Sequence, residues 1–393
     1  MHSVAKITAP PPPASKSTAR GLSTVTVTQL SGFDEIIDVR SEGEFAEDHI
    51  PGAVSCPVLS NDERARVGTL YQQVSSFEAK KTGAALISAN IAHHLRERFH
   101  NRPREWRPLV YCWRGGSRSG ALAHVLRQVG WRVAQLDGGY KAYRRRVLAD
   151  LAVLPAQYEW RAVCGLTGSG KSRLLRALEE CGGQVLDLEA LAAHRGSVLG
   201  NLPDMPQPSQ KMFESLIWNA LRRFSPSRSI YVEAESKKIG ALRVPDALIA
   251  AMWASPCAVL EAPVRLRVAL LKAEYVHFIS EPATLVAKLE CLSGLYGRAV
   301  IAEWKKLAFA QRWDELTEAL LVMHYDPAYT RSTLKHYPRL SSALRLELAA
   351  TDEGEFKRLA QQCLSHEPRK ATSEENREAR GERQEKQGDK GAA

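Results

Sequence analysis

The stretch "GLTGSGKS", Gly165 to Ser172, constrains this chain more than any other. It matches G-x-x-x-x-G-K-[ST] at every fixed position and lies between an apolar run, "WRAVC", and a helical pattern, "KSRLLRALEE". Such a loop works only between a strand and a helix. Its glycines let the backbone curl until successive N–H groups converge on a phosphate, while the helix behind presents its positive end. Gly165, Gly168 and Gly170 therefore form the expected cradle. Lys171 neutralises terminal phosphate oxygens, and Ser172 ligates magnesium if a nucleotide or diphosphate brings one. The loop specifies a phosphate rather than a nucleotide, and no NKxD-type guanine-reading signature accompanies it. Asp187 and Glu233, each at the end of an apolar run, are candidate acidic groups on the substrate or metal side. His194, Arg195 and Ser197 follow the second strand of this domain, where substrate-reading loops project.

A second nest lies upstream in "VYCWRGGSRSG". Cys112 ends an apolar run and precedes a helical pattern, which puts its sulfur under the helix's positive end, among the N–H groups of a glycine turn. Arg114, Gly115, Gly116, Ser117 and Arg118 make up the expected anion loop, its two guanidinium groups favouring thiolate over thiol. The competing reading is a small, inert core cysteine. "EIIDV", "LVYC" and "RVAQL" predict short buried strands, and "SGALAHVLRQVGW" a helix burying Leu122, Val125, Leu126 and Val129. Both halves of the chain thus predict α/β units with parallel sheets.

A length of 393 residues fits two domains, with a seam near "LAVLPAQYEW". The expected division is a disordered start (1–20), a first domain (21–150), a second (155–365) and a disordered, charge-alternating tail (366–393). "SQKMFESLIWNALRRF" predicts a helix of the second domain, with Phe213, Leu216, Ile217, Ala220, Leu221 and Phe224 on one face, and the chain from Arg265 to about Gln362 reads as mostly helical. The formal charge of +10 favours a polyanionic partner. No apolar run is long enough to span a membrane, and the start lacks a secretory signal's apolar centre, so a cytoplasmic protein without a membrane partner is expected. The seven cysteines show no metal-ligand spacing, which points to reduced thiols and no structural metal.

"IDVRSEGEFAEDHIPGAVSCPV", with Asp38, Arg40, Glu44, His49, Gly52 and Ala53, and "LDGGYKAYRRR" resemble the opening and closing signatures of rhodanese domains. That resemblance implies that Cys112 carries a chalcogen and that the charged residues hold the fold by pairing. The spacing from Cys112 to Arg118 equals the C-x5-R of rhodanese-like phosphatases, but Tyr111 stands where those enzymes usually have histidine, and no general acid follows in the loop.

A rhodanese domain followed by a P-loop NTPase-like domain with a helical C-terminal portion resembles the tRNA 2-selenouridine synthase family. The resemblance runs from about Thr24 to Tyr329 and includes "CWRGGSRS", "NDERARVGTLY", "LEALAAHRGSVLG", "PSQKMFE", "VEAESKKIG" and "HYDPAY". It implies replacement of sulfur by selenium at the 2-position of wobble 2-thiouridine in tRNA. Selenophosphate, supplied by a partner enzyme, would be the donor, geranyl diphosphate would give an S-geranyl intermediate, and Cys112 would hold selenium as a selenosulfide. No tightly bound cofactor is implied. The diphosphate is expected at Gly165 to Ser172, and "YKAYRRR", Tyr140 to Arg146, is either a tRNA contact or a solvated helix end. Two rivals stay open on the residues alone. One is a sulfurtransferase or phosphatase-like rhodanese domain fused to an ATP-dependent small-molecule kinase; the other is a regulatory module whose cysteine senses oxidants.

Overall fold

The computed structural model describes residues 23–197, 199–201 and 205–366. They fall into two compact units, one drawn from Met1–Ala152 and Gln207–Asn219, the other from Val153–Pro206 and Ala220–Ala393. Apart from His366, the terminal segments expected to be disordered lie outside the described residues.

The sheet of the first unit consists of β1 (Ser23–Val25), β2 (Glu35–Asp38), β3 (Val54–Ser55), β4 (Pro108–Tyr111) and β5 (Ala134–Leu136). They lie in the order β1-β5-β4-β2-β3, every pair parallel. The central β4 is buried throughout, which is why it reads as an unbroken apolar run. The core on one face gathers Ile37, Val110, Leu122, Leu126 and Phe99 around Trp106 and Trp131, whose rings meet edge to face at 5.3 Å. The helix Ser117–Val129 buries Leu122 and Leu126, but Val129, predicted on the same face, is exposed. The helix ends there, because Gly130 takes a left-handed conformation (φ +114°) and turns the chain away.

The helix Gln210–Leu221 departs from its predicted domain: Gln207–Asn219 packs with the first unit. Trp218 sits edge-on to Tyr143 at 5.4 Å and donates from Nε1 to Asp150 Oδ2 (2.8 Å), while Arg144 pairs with Glu214. An apolar helical face specifies burial but not the partner it is buried against.

The second unit is built on β6 (Trp160–Cys164), β7 (Gln184–Leu186), β8 (Ile230–Glu233), a hairpin of β9 (Lys238–Ile239) and β10 (Leu242–Arg243), β11 (Cys257–Glu261) and β12 (Leu344–Glu347). Its parallel sheet has the order β12-β11-β6-β8-β7. Helix Lys171–Glu180 covers one face together with helix Glu353–Ser365, joining Leu174, Leu175 and Leu178 to Leu346, Phe356 and Leu359. Helices follow from Val264–Glu274 to Asp326–His336 as expected, with a core of their own around Leu289, Trp304 and Leu316. The expectation of helix onward to about Gln362 misses β12. Its alternation of Leu344 and Leu346 with Arg345 and Glu347 is the signature of an edge strand with one face buried. Among the described residues no helix is long and apolar enough to cross a membrane.

Candidate functional site

In the first unit the chain leaves β4 and doubles back before helix Ser117–Val129, with Cys112 only 4 % exposed at the floor of the turn. Burial by itself raises a thiol's pKa, and Cys56, buried in the same core, is pushed up to about 12. Cys112 goes the other way. Burial opposes ionisation there too, but the Ser119 hydroxyl, donating to Sγ at 3.1 Å, and the N–H groups of Ser119, Arg114 and Gly116 outweigh it. Together they hold the thiol below its ordinary range.

The guanidinium contribution expected for this thiolate is not what holds it. Arg118 pairs with Glu44 (2.8 Å), and Arg114 offers its backbone N–H while its side chain is exposed. Of the other rhodanese-like residues, Asp38 and Arg40 form a buried pair (2.6 Å); Arg40 also donates to the Asp48 carbonyl (2.6 Å). These charges hold the fold.

Two features brace the loop from below. Gln135, on β5 and buried, directs Nε2 at the carbonyls of Gly115 (2.6 Å) and Gly116 (3.2 Å) and at Ser119 Oγ (2.7 Å). Its amide thus orients the hydroxyl that donates to the sulfur. Gly139 (φ +55°) packs so closely that a Cβ there would lie 2.3 Å from the Cys112 carbonyl oxygen. Tyr140 N–H donates to that same oxygen at 2.8 Å. "LDGGYKAYRRR" is therefore the underside of the cysteine loop. Its Tyr140 and Tyr143 are buried, Arg144 is paired with Glu214, and Arg146 donates to Asp150 (2.8 Å), so the aromatic half of the expected tRNA contact faces the core.

In the second unit β6 runs into the predicted cradle and helix Lys171–Glu180, with Gly168 and Gly170 at φ +77° and +91°. "HYDPAY" braces this loop. Asp326 pairs with buried Arg267, whose Nε donates to the Thr167 carbonyl (2.8 Å), and Tyr329 Oη accepts from Gly165 N–H (2.9 Å). Lys171 Nζ donates to the Gly165 carbonyl at 3.0 Å. The loop opens into a cavity of ≈ 570 Å³. Gly168, Lys171 and Ser172 line it together with acidic and basic side chains, and so do the apolar Phe278, Leu285, Trp313, Leu316 and Leu320.

Next to Ser172 lie three carboxylates, Glu189, Glu233 and Glu235, with ligand oxygens all within 4.8 Å of one another. Ser172 Oγ donates to Glu233 at 2.8 Å. Burial and the Glu233 charge push the Glu235 carboxyl up to about 8, and burial with both neighbouring acids raises that of Glu189. Of the two acids expected, Glu233 belongs to this group, whereas Asp187 lines the cavity as the cap of helix Leu188–Ala192, accepting from Ala190 N–H (2.8 Å). The sequence reading missed Glu189 and Glu235. Glu235 had a signal, since two glutamates two apart at a strand end share a side. His194 and Arg195 also line the cavity. Burial lowers the His194 pKa and Nδ1 accepts from Gly196 N–H (3.1 Å), which leaves the ring proton on Nε2; Arg195 lies over the Tyr275 ring at 4.8 Å and near Glu274 (3.6 Å).

Residues 159–294 match the family model described as the tRNA 2-selenouridine synthase AAA domain, and residues 25–146 match the rhodanese-like domain. A tRNA 2-selenouridine synthase from Bdellovibrio bacteriovorus is 31% identical over 360 residues, covering 79% of this chain and 92% of the relative. The chain belongs to the tRNA 2-selenouridine synthase family. Family members from Nitrosomonas europaea and Aeromonas salmonicida are each 35% identical. Those alignments cover 61% and 62% of this chain, and 63% and 65% of the relatives' own length. Cys112 and the phosphate loop each lie within a segment matched by a family model.

Proposed function

We propose that this protein is a tRNA-modifying transferase that replaces sulfur by selenium at carbon 2 of wobble 2-thiouridine, by way of an S-geranyl intermediate. The observation that carries the geranyl step is the cavity, which joins a phosphate cradle to an apolar wall in one space of ≈ 570 Å³. A prenyl diphosphate has the same two ends. Its diphosphate lies against Gly168, Gly170, Lys171 and Ser172, and its chain against Phe278, Leu285 and Leu316. The thiocarbonyl sulfur attacks carbon 1 of the geranyl group, the carbon–oxygen bond breaks, and the charge gathering on the departing diphosphate is met by Lys171 and the loop amides. Alkylation turns a poor leaving group on carbon 2 into a good one.

Cys112 is the proposed carrier of selenium derived from selenophosphate. The amide-held thiolate supports this role, because the same donors that lower its pKa suit the anionic selenium of a selenosulfide. The selenium of selenophosphate is at the selenide level, so the adduct forms when the thiolate attacks selenium and the phosphorus–selenium bond breaks with its electron pair leaving on phosphorus as phosphite; a thiol reductant then returns selenium to the selenide level after transfer.

The test is mass analysis of nucleosides from thiolated tRNA incubated with protein, selenophosphate and a thiol, with and without geranyl diphosphate. The reading requires 2-selenouridine only when Cys112 is intact, and S-geranyl-2-thiouridine when selenophosphate is withheld. Unchanged geranylation by Lys171→Ala removes the assignment of geranyl diphosphate to this cavity. Nucleotide turnover without tRNA would favour the kinase reading instead.

A further inference from the structure

We propose that a basic patch on the second unit, made by Lys237 and Lys238 from one stretch of chain and Arg331, Lys335 and Arg339 from another, is the surface on which the tRNA sugar–phosphate backbone docks. It rests on the reading of this protein as a tRNA-modifying enzyme and deepens it. The contact expected from the sequence was elsewhere, at Tyr140 to Arg146 of the first unit.

Neither stretch contains an acid: there is no Asp or Glu between Glu235 and Asp246, and none between Asp326 and Glu347. The first holds Lys237, Lys238 and the hairpin of β9 and β10; the second runs through helix Asp326–His336 and the turn Pro338–Ser342. Trp253, which ends helix Asp246–Trp253, ties them together. Its ring stacks on His336 with centroids 4.3 Å apart, and Lys237 Nζ lies over it at 5.5 Å. Tyr337 Oη adds a hydrogen bond to the Glu235 carbonyl (3.4 Å). Lys237, Lys238, Arg331, Lys335 and Arg339 are all exposed.

These charges are uncompensated, since none of the side chains has a carboxylate partner among the described residues. The acids that bound the stretches are engaged elsewhere. Glu235 lines the cavity, Asp326 pairs with Arg267, and Asp246 stands in the first turn of its own helix, where the positive end favours it. Arg331 and Lys335 lie four apart on one helix, about 6 Å along its axis, and like charges so placed destabilise a helix. A polyanion relieves that repulsion, and a nucleic acid brings one phosphate per nucleotide. The patch also borders the cavity: Ser236, next to Lys237, and Thr333 and Tyr337, flanking Lys335, all line it. A backbone held on the patch therefore brings a nucleotide to the cavity's rim. Lys357 and Arg358 supply a control. Their helix, Glu353–Ser365, packs with Val163, Ala258 and Leu260, whereas Trp253 and Tyr337 pack with Ala162, Cys164 and Cys257. Side chains alternate along a strand, so the two groups cover opposite faces of the sheet.

The experiment follows binding of the full-length protein to a fluorescein-labelled tRNA transcript, with uridine at the wobble position, by fluorescence anisotropy over a range of salt. Lys237→Ala combined with Lys238→Ala should weaken binding about tenfold, and the slope of log affinity against log salt should shrink by about 1.4–1.8, as for two lost phosphate contacts. Lys335→Ala combined with Arg339→Ala, on the other stretch, should do the same. Lys357→Ala combined with Arg358→Ala removes equal charge and should leave affinity and slope unchanged. Thermal melts verify folding, and the exposed positions should keep every variant at the wild-type midpoint. The proposal is overturned if both patch variants bind tRNA as the wild type does, or if the control weakens binding as much as they do, which reduces the effect to net charge. Wild-type protein that does not bind tRNA removes the tRNA reading and the patch together. Binding lost with the patch variants alone supports the patch, whatever the fate of the geranyl and selenium steps.

Discussion

The cysteine loop and the phosphate loop begin from the same device, a buried parallel strand, a glycine turn and the start of a helix. What surrounds the turn differs. Around Cys112 the N–H groups close on one sulfur, the chain of Gly139 presses from below, and Gln135 ties off the carbonyls. The phosphate loop opens into a large cavity, and its lysine rests on its own loop's carbonyl. One nest closes on a sulfur that belongs to the chain. The other faces an open cavity. Cys56 sharpens the lesson, since equal burial without donors pushes its thiol up instead of down.

The largest effect is expected from Cys112→Ser. It should abolish 2-selenouridine formation, read by nucleoside mass analysis, while S-geranylation by the other unit continues. If both activities fell together, the division of labour between the nests would be wrong. Next in size, Lys171→Ala should slow S-geranylation by about 10²-fold, the scale of losing one donor to a developing oxyanion. The alkylation rate of Cys112 should stay unchanged.

The wild-type pH dependence of Cys112 alkylation comes third. Its pKa is lowered in the fold, so the thiolate fraction should rise with an inflection below that of free cysteine, whereas Cys56 should stay inert to well above neutrality. Ser119→Ala removes the hydroxyl donor and should move the Cys112 inflection upward, measured by mass-detected iodoacetamide labelling. Smallest of all is Gln135→Leu. It touches no sulfur, but it leaves the Gly115 carbonyl without its amide and the Ser119 hydroxyl unoriented, which should cost about 1–3 kcal/mol in chemical denaturation. It should also shift the inflection upward by less than Ser119→Ala does.

Both nests were legible in the sequence because each is a local object. Strand, turn and helix lie within a dozen or so residues, and glycine at fixed spacing is demanded by the backbone itself. Cys112, Gly168, Gly170, Lys171 and Ser172 all stand at the turns where that spacing put them. The supports were not legible. Gln135 comes from the next strand, Arg267 and Asp326 reach Thr167 from far along the chain, and nothing in "RVAQL" or "HYDPAY" says which backbone oxygen it will hold. The reading of Tyr140 to Arg146 as a surface covers only half of that segment: Tyr140 and Tyr143 turn inward while Lys141, Arg145 and Arg146 are exposed, and a mixed aromatic and basic helix does not state which face turns inward.

Two parallel α/β units and their two glycine turns follow from period, apolar runs and glycine spacing, which act over a few neighbouring residues. Which acids meet and what lowers the thiol depend instead on contacts between distant parts of the chain. Asp187 was spent on capping a helix, Glu189 and Glu235 converged on Glu233, and Arg118 was taken by Glu44. Charges and hydrogen bonds act through space over a few ångströms, and which residues come that close is settled by packing.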